Sequence, residues 1–423
     1  MLTLAGGGRV VTDAPHGHVL ANRNCWSPDG RWLVYDVRAD ETVFDGRRVE
    51  RVNVDTGAVE TVFRSEAPVG VPTYGPGGRL VVLAAPDDDP DWPYAAWHRH
   101  GLLLTGGRAE RLDAADYGPP FFFGALRGGT HLHTFSPRGG RVASTYEDHV
   151  LATSTDPAAA ENRRTVAVTD LSRPVRVDRD HPRNADGHFT FVAARVSDEP
   201  TPGGDEISRA FSDAWVGRDD SRIAFLGRVR LEDGRDADEL FVTDIGSLVD
   251  PPDVGTLTTR PQPPSTVRQR RITRTQDEPF PGVSGPRFWP VGDADGSSVA
   301  VYRRDAAGRV RLCVVAVADD RPPARPVGEW RFVTSGAFEP TSAFTWSPAA
   351  PLVAFAADGS VFVADVRTNA ETRITERRDD GPTHHACVFS PDGRRIAYMR
   401  PVETQAGTFD QIAVVDVPEE LLP

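Results

Sequence analysis

Lysine is absent from this chain: all 48 basic residues of its 423 are arginine. That excludes a Schiff base and a lysine general base, and leaves arginine as the cation that can clamp a carboxylate with two parallel bonds. Cysteine is scarce. Cys25, Cys313 and Cys387 are too few and too scattered for a disulfide framework. No apolar run approaches the ~20 residues that a membrane-spanning helix needs, and no 3.6-residue apolar stripe outlasts a turn or two. The opening MLTLAGGGRVV lacks the charged and apolar regions of an export signal. A cytoplasmic protein with no membrane partner is therefore expected. Net charge is −13 with no basic stripe, which argues against a nucleic-acid partner.

The 39 glycines and 36 prolines are spread along the whole chain, as many short strands and turns require. Within that background a phrase repeats. CWSPDGRWLVYDVR occupies Cys25 to Arg38 and CVFSPDGRRIAYMR occupies Cys387 to Arg400. HTFSPRGGRVASTY (His133 to Tyr146) and FTWSPAAPLVAFAADG (Phe344 to Gly359) are looser copies. Each reads aromatic, turn, then alternating apolar run, the pattern of a β-hairpin.

Seven units begin near residues 24, 72, 133, 213, 287, 344 and 387. Units one and six each carry four strand-like segments, so the expected fold is all-β: a single seven-bladed β-propeller over residues 1–423 with four-stranded blades. The seventh unit stops one strand short. GGRVVTD, within residues 1–15, resembles a fourth strand and is expected to close the last blade, removing two open sheet edges. Residues 195–208 and 250–286 break the rhythm and read as long Pro-rich surface loops.

The repeats resemble those of TolB-type propellers, a pattern shared with oligogalacturonate lyases and the propeller domains of prolyl oligopeptidases. HGHVLANRNCWSPDGRWLVYD and LRGGTHLHTFSPRGGRVASTYEDHV are further similar to a bacterial group labelled biopolymer transporter Tol-like. The resemblance covers most of the chain and implies fold rather than activity. A peptidase role is not expected, because no G-x-S-x-G elbow is present.

Candidate chemistry lies in front of the turns. Three residues before the turn serine stand Asn24, His133 and Cys387; five before it stand Asn22, His131 and His385, with His384 adjacent. Strand alternation would put both positions on one face. The returning strand would bring Glu147, Asp148 and His149 to the same end in unit three, Arg38 in unit one and Arg400 in unit seven. Imidazole with carboxylate suits Mn, Zn or Fe, so His131, His133, His384, His385 and Glu147 are the candidate metal ligands. Hydrogen bonding between blades is the competing role for the same histidines. His98 and His100 read as structural or surface residues of a third strand.

Oligogalacturonate lyases hold manganese with several histidines and a glutamine, and remove a proton next to a sugar carboxylate. The resemblance thus implies a divalent metal and a lyase-like reaction on a small acidic saccharide or other carboxylate. Gln405 and Gln411 fall in a different part of the blade from that glutamine. In this reading Arg127, Arg38 or Arg400 holds the anion, and His149 or His18 takes the proton. Asn22, Asn24 and Asp213 face the substrate. Two alternatives stay open: a non-catalytic propeller binding a protein or glycan, and a metal-free biosynthetic enzyme with acid–base histidines.

Overall fold

A computed structural model describes the chain except residues 1, 4–7, 22, 39–41, 87–88, 247–250, 252, 287–288, 319–325 and 386. Asn22, the acidic pair at 87–88 and the expected start of unit five at 287 therefore lie outside the described residues.

The protein is a seven-bladed β-propeller of four-stranded antiparallel blades. Blade one comprises His18–Leu20, Trp32–Val37, Arg48–Asn53 and Val59–Arg64; blade two comprises Val69–Tyr74, Leu80–Ala84, His100–Thr105 and Arg108–Arg111. Blade three comprises Gly128–Phe135, Arg141–Asp148, Thr165–Val175 and Gly187–Val192; blade four comprises Ile207–Trp215, Arg222–Arg230, Asp236–Ile245 and Val267–Arg271. Blades five, six and seven open at Val291–Gly292, Thr345–Trp346 and Val388–Phe389. The chain forms two compact units, one of Met1–Gly78 with Glu278–Pro423 and one of Arg79–Asp277.

The repeated phrase is a turn built from its own side chains. Ser27 Oγ donates to Asp29 Oδ1 at 2.5 Å and accepts from the Trp32 amide at 2.9 Å, while Gly30 adopts φ +67°. Ser390, Asp392 and Gly393 (φ +71°) repeat the arrangement with the amide of Arg395 at 3.0 Å. Serine, aspartate and glycine are each needed: one hydroxyl, one carboxylate, one residue tolerant of the left-handed region. The aromatic ahead of the turn is core between blades. Trp26 is 4 % exposed, and its Nε1 donates to the Val388 carbonyl at 3.0 Å. In the other unit Trp215 Nε1 donates to the Thr134 carbonyl at 3.0 Å.

Arg9–Val10 pairs antiparallel with Gly407–Asp416 and supplies the outer strand of blade seven, as expected. Gln411, fully buried, fastens the chain beyond it: its amide group accepts from the Ala14 N–H at 3.0 Å and donates to the Ala14 carbonyl at 2.9 Å. The expected single closing segment does two things, however. Leu2–Thr3 runs parallel to Glu371–Arg373 and adds a fifth strand to blade six.

Two expected loops are shorter than their sequence suggested: Val267–Arg271, inside 250–286, is the outer strand of blade four, and Ile207 already opens its first strand. Side chains pin the described loop residues that remain. Arg260 pairs with Asp198 and donates to the Glu161 carbonyl at 3.0 Å. Buried Arg127 donates to the carbonyls of Thr256 and Thr259, the latter at 2.6 Å. Among the described residues no helix is long and apolar enough to cross a membrane.

Candidate functional site

The richest polar cluster of the Arg79–Asp277 unit gathers where the segment after PDDDPDW meets the end of the second strand of blade three. A short 3-10 turn, Ala96–His98, sits against Gly129: a side chain there would come within 2.5 Å of the Ala96 carbonyl oxygen. Glycine at 129 is what lets the turn approach. Blade three's second strand ends at Asp148, whose carboxylate accepts from the Leu151 amide at 3.0 Å and starts the single turn His149–Ala152. These two placements bring His98 and His149 together.

His98 Nε2 lies 2.9 Å from His149 Nδ1, and His98 Nδ1 lies 2.7 Å from the Pro93 carbonyl oxygen. A carbonyl can only accept, so His98 carries its proton on Nδ1 and presents Nε2 as an acceptor. His149 must then donate from Nδ1, which leaves the lone pair of the ring on Nε2. Trp92 stacks on His98 (centroids 3.7 Å) and lies 4.6 Å from the His149 ring; Tyr117 stands edge-on to His149 at 5.4 Å. His181 flanks the other side of Tyr117 at 5.6 Å. Its Nδ1 accepts from the Arg183 amide at 3.2 Å, so its Nε2 bears hydrogen. One imidazole therefore offers a lone pair and its neighbour an N–H.

Burial, with His98 and His181 nearby, holds His149 down to about 4, so it is neutral at pH 7. His98 is lowered as well, chiefly by burial. Arg99, next in the chain, lies over the Tyr94 ring at 5.2 Å and makes no ion pair or hydrogen bond from its side chain among the described residues.

The other expected site residues of this unit have different company. The strand Gly128–Phe135 carries a bulge between His131 and Thr134, with Leu132 at φ +59°, so His131 and His133 do not follow the simple alternation that was expected to put them on one face. His133 is 2 % exposed and its Nε2 lies 2.9 Å from Thr130 Oγ1, which in turn donates to fully buried Asp113 at 3.1 Å. His131 is half-buried. Glu147 accepts from Arg164 at 2.7 and 3.2 Å through one oxygen. Arg127 is 1 % exposed and paired to Asp148 at 2.8 Å; with its two carbonyl bonds it ties a loop down instead of facing an anion. Asp213 is 3 % exposed, beside Ser212 at φ +56° in a second bulge.

In the other unit, His18 is 2 % exposed, with Nε2 at 3.2 Å from Thr12 Oγ1 and burial lowering it to about 4. A base enclosed in this way has no path to a substrate carbon. The His384 and His385 rings lie tilted against each other, centroids 4.3 Å apart. Arg38 pairs with buried Asp36 at 2.7 Å, and Arg400 lies 3.9 Å from Asp380. Asn24 is exposed at φ +52°, its carbonyl accepting from the Tyr74 amide at 2.6 Å.

Among the described residues no three His, Cys, Asp or Glu side chains are grouped so as to hold a metal ion. Within the Arg79–Asp277 unit Glu147 turns to Arg164 and His133 to Thr130, so these two expected ligands have other partners. His98, expected to be structural, is the residue that sequence reasoning missed. It was read as part of a strand that in fact begins at His100. PDDDPDWP was the available signal: a proline-bounded run favours irregular chain that can reorient a histidine.

Fold and cluster together define a β-propeller whose polar site is carried by the loops of blades two and three. The chain belongs to the family of the uncharacterized protein YidR of Escherichia coli (strain K12): the two are 37 % identical over 404 residues, covering 92 % of this chain and 94 % of YidR. Residues 68–185 match the family described as protein of unknown function (DUF3748). That stretch contains His98, His149 and His181. Among solved structures, an oligogalacturonate lyase in complex with manganese aligns at TM-score 0.59 with 10 % identity, over 100 % of both chains. An oligogalacturonate lyase from Vibrio parahaemolyticus aligns at 0.56 with 11 % identity, over 96 % of this chain and 92 % of the other. A TolB-like protein from Agrobacterium tumefaciens aligns at 0.42 with 14 % identity, over 88 % of this chain and 98 % of the other. The two lyase likenesses support the propeller fold.

Proposed function

We propose that the protein is a lyase-like enzyme that removes a proton next to a carboxylate on a small acidic saccharide or similar acid, with His149 as the base. The observation that carries this reading is the Pro93–His98–His149 chain. It fixes the tautomer, orients the ring and leaves a lone pair on His149 Nε2, the arrangement of a base held by a third group.

His149 Nε2 takes the proton from the carbon beside the carboxylate, and His98 accepts the hydrogen bond from the imidazolium that forms. The C–O bond at the next carbon breaks as the C=C bond forms. His149 then returns the proton to the departing oxygen, so the elimination balances with no other reactant. His181 Nε2–H donates a hydrogen bond to the oxygen on which charge develops. Trp92 and Tyr117 offer aromatic faces to a sugar ring. Arg99 holds the carboxylate, in place of the arginines expected from sequence.

The manganese of the oligogalacturonate lyase structure is reason to include a divalent cation in the proposal as a component to be measured; none of the steps above runs through one. The test is turnover of uronate oligomers followed by the ultraviolet absorbance of the unsaturated product, with metal content determined on the same preparation. Wild type is expected to form product, and His149→Gln to lose at least ~100-fold, the usual contribution of a positioned base. Product formation by His149→Gln at the wild-type rate would overturn the assignment.

A further inference from the structure

Beside this cluster, arginines outnumber the carboxylates that could neutralise them. Glu147, two residues before His149, is occupied by Arg164. Arg228 holds Asp238 with two bonds of 2.9 and 3.1 Å. Arg209 stands between them on the first strand of blade four: the Ala210 amide donates to the Arg164 carbonyl at 2.9 Å, and Arg209 and Arg228 lie over the same Phe211 ring at 4.9 and 6.0 Å. Three guanidinium groups thus share two carboxylates. Arg209 makes no ion pair or hydrogen bond from its side chain among the described residues, and its Nε is buried.

Such an arrangement is costly without a ligand. A guanidinium partly withdrawn from water and beside two others loses some solvation and meets like charge. The strand beneath it is also unusual. Arg209 lies within the bulge between Ile207 and Ala210, a second bulge follows between Phe211 and Ala214, and Ser212 sits at φ +56°. Backbone of this kind, in a residue other than glycine, costs of order 1–3 kcal/mol and concentrates where ligands bind.

We propose that Arg209, supported by Arg164 and Arg228, is an anion subsite for a carboxylate or phosphate group. Resting on the lyase reading, this deepens it: the substrate carries a second negative group beyond the one at the reacting carbon, so a chain of at least two acidic sugars is preferred over one. Guanidinium offers two parallel N–H groups to either anion.

Calorimetric titration of the full chain with inorganic phosphate, D-galacturonate and, as the uncharged control, D-galactose tests the assignment. Saturable binding of at least one anion and none of galactose is expected; phosphate alone assigns the subsite to phosphate, and galacturonate alone assigns it to a carboxylate. Arg209→Met, which keeps the stem on Phe211, is expected to bind at least tenfold more weakly, and Glu147→Gln, which adds positive charge without touching Arg209, at least as tightly as wild type. Binding by Arg209→Met equal to wild type, weaker binding by Glu147→Gln, or no saturable anion binding at all would overturn the proposal. If Arg209→Met does not fold, the Glu147→Gln result decides. His149→Gln should bind the anion normally; if it also turns over uronates normally, the lyase reading falls and the subsite stands.

Discussion

Acid is expected to unfold this protein through its buried neutral histidines before its carboxylates take part. His133 illustrates the size of the effect. It is 2 % exposed, its Nε2 is engaged by Thr130, and burial lowers it from 6.5 to about 4. Because the folded value lies below the unfolded one, the contribution to stability is complete above pH 6.5 and is lost as pH falls toward 4. At about 1.4 kcal/mol per pH unit this amounts to about 3 kcal/mol for one residue. His18, equally buried and likewise lowered to about 4, adds a similar amount. Together they exceed the lower end of the ~5–15 kcal/mol that a folded domain has in hand. Denaturant midpoints between pH 7 and pH 4.5 measure this directly. His133→Gln, whose side chain can still meet Thr130 but does not titrate, should flatten the slope by about 1.4 kcal/mol per pH unit. An unchanged slope in His133→Gln would refute the argument that His133 is held neutral by burial.

Further expectations concern single contacts. Arg127→Met leaves Asp148 buried without its partner and is expected to cost ~3–5 kcal/mol, with Asp148→Asn in the same chain recovering part of it; chemical denaturation checks both. Gly129→Ala would set a methyl group 2.5 Å from the Ala96 carbonyl oxygen, and is expected to destabilise by ~1–3 kcal/mol and to lower activity by displacing the turn that carries His98. Removing the Gln411 side chain (Gln411→Ala) takes away the partner of two half-buried backbone groups of Ala14 and is expected to loosen the closing strand, read as faster amide exchange at Arg9–Val10. The kcat/KM of turnover should stay level through pH 6.5, where an ordinary imidazole base is half protonated, and fall only as the fold itself is lost in acid, because burial holds the His149 ring at about 4.

Seven blades were legible in the sequence because the turn needs a particular serine, aspartate and glycine, and those letters recur. Closure by residues 9–10 was legible for a related reason: the seventh unit lacked a strand and GGRVV matched the gap. Leu2–Thr3 joining blade six was not, since two residues carry no periodicity. At the site the limits were different. His149 was singled out from its place at the end of a returning strand, but the proposed role as a base depends on His98, brought there by an irregular segment whose path no pattern encodes. The bulge at Leu132 removed the alternation on which the expected pairing of His131 and His133 rested. Arg127, Arg38 and Glu147 looked available in sequence, yet each has a partner set by strand pairing or loop geometry. Arg209 was passed over for the converse reason, since a lack of partners is visible only in three dimensions.

Hydrogen exchange at the substrate carbon tests the account most directly. With uronate oligomers in deuterated water, wild type is predicted to exchange or eliminate the hydrogen beside the carboxylate, seen by proton NMR, while His149→Gln leaves it intact and His98→Gln slows its loss. Exchange by His149→Gln at the wild-type rate, or none by wild type with its metal content restored, would contradict it.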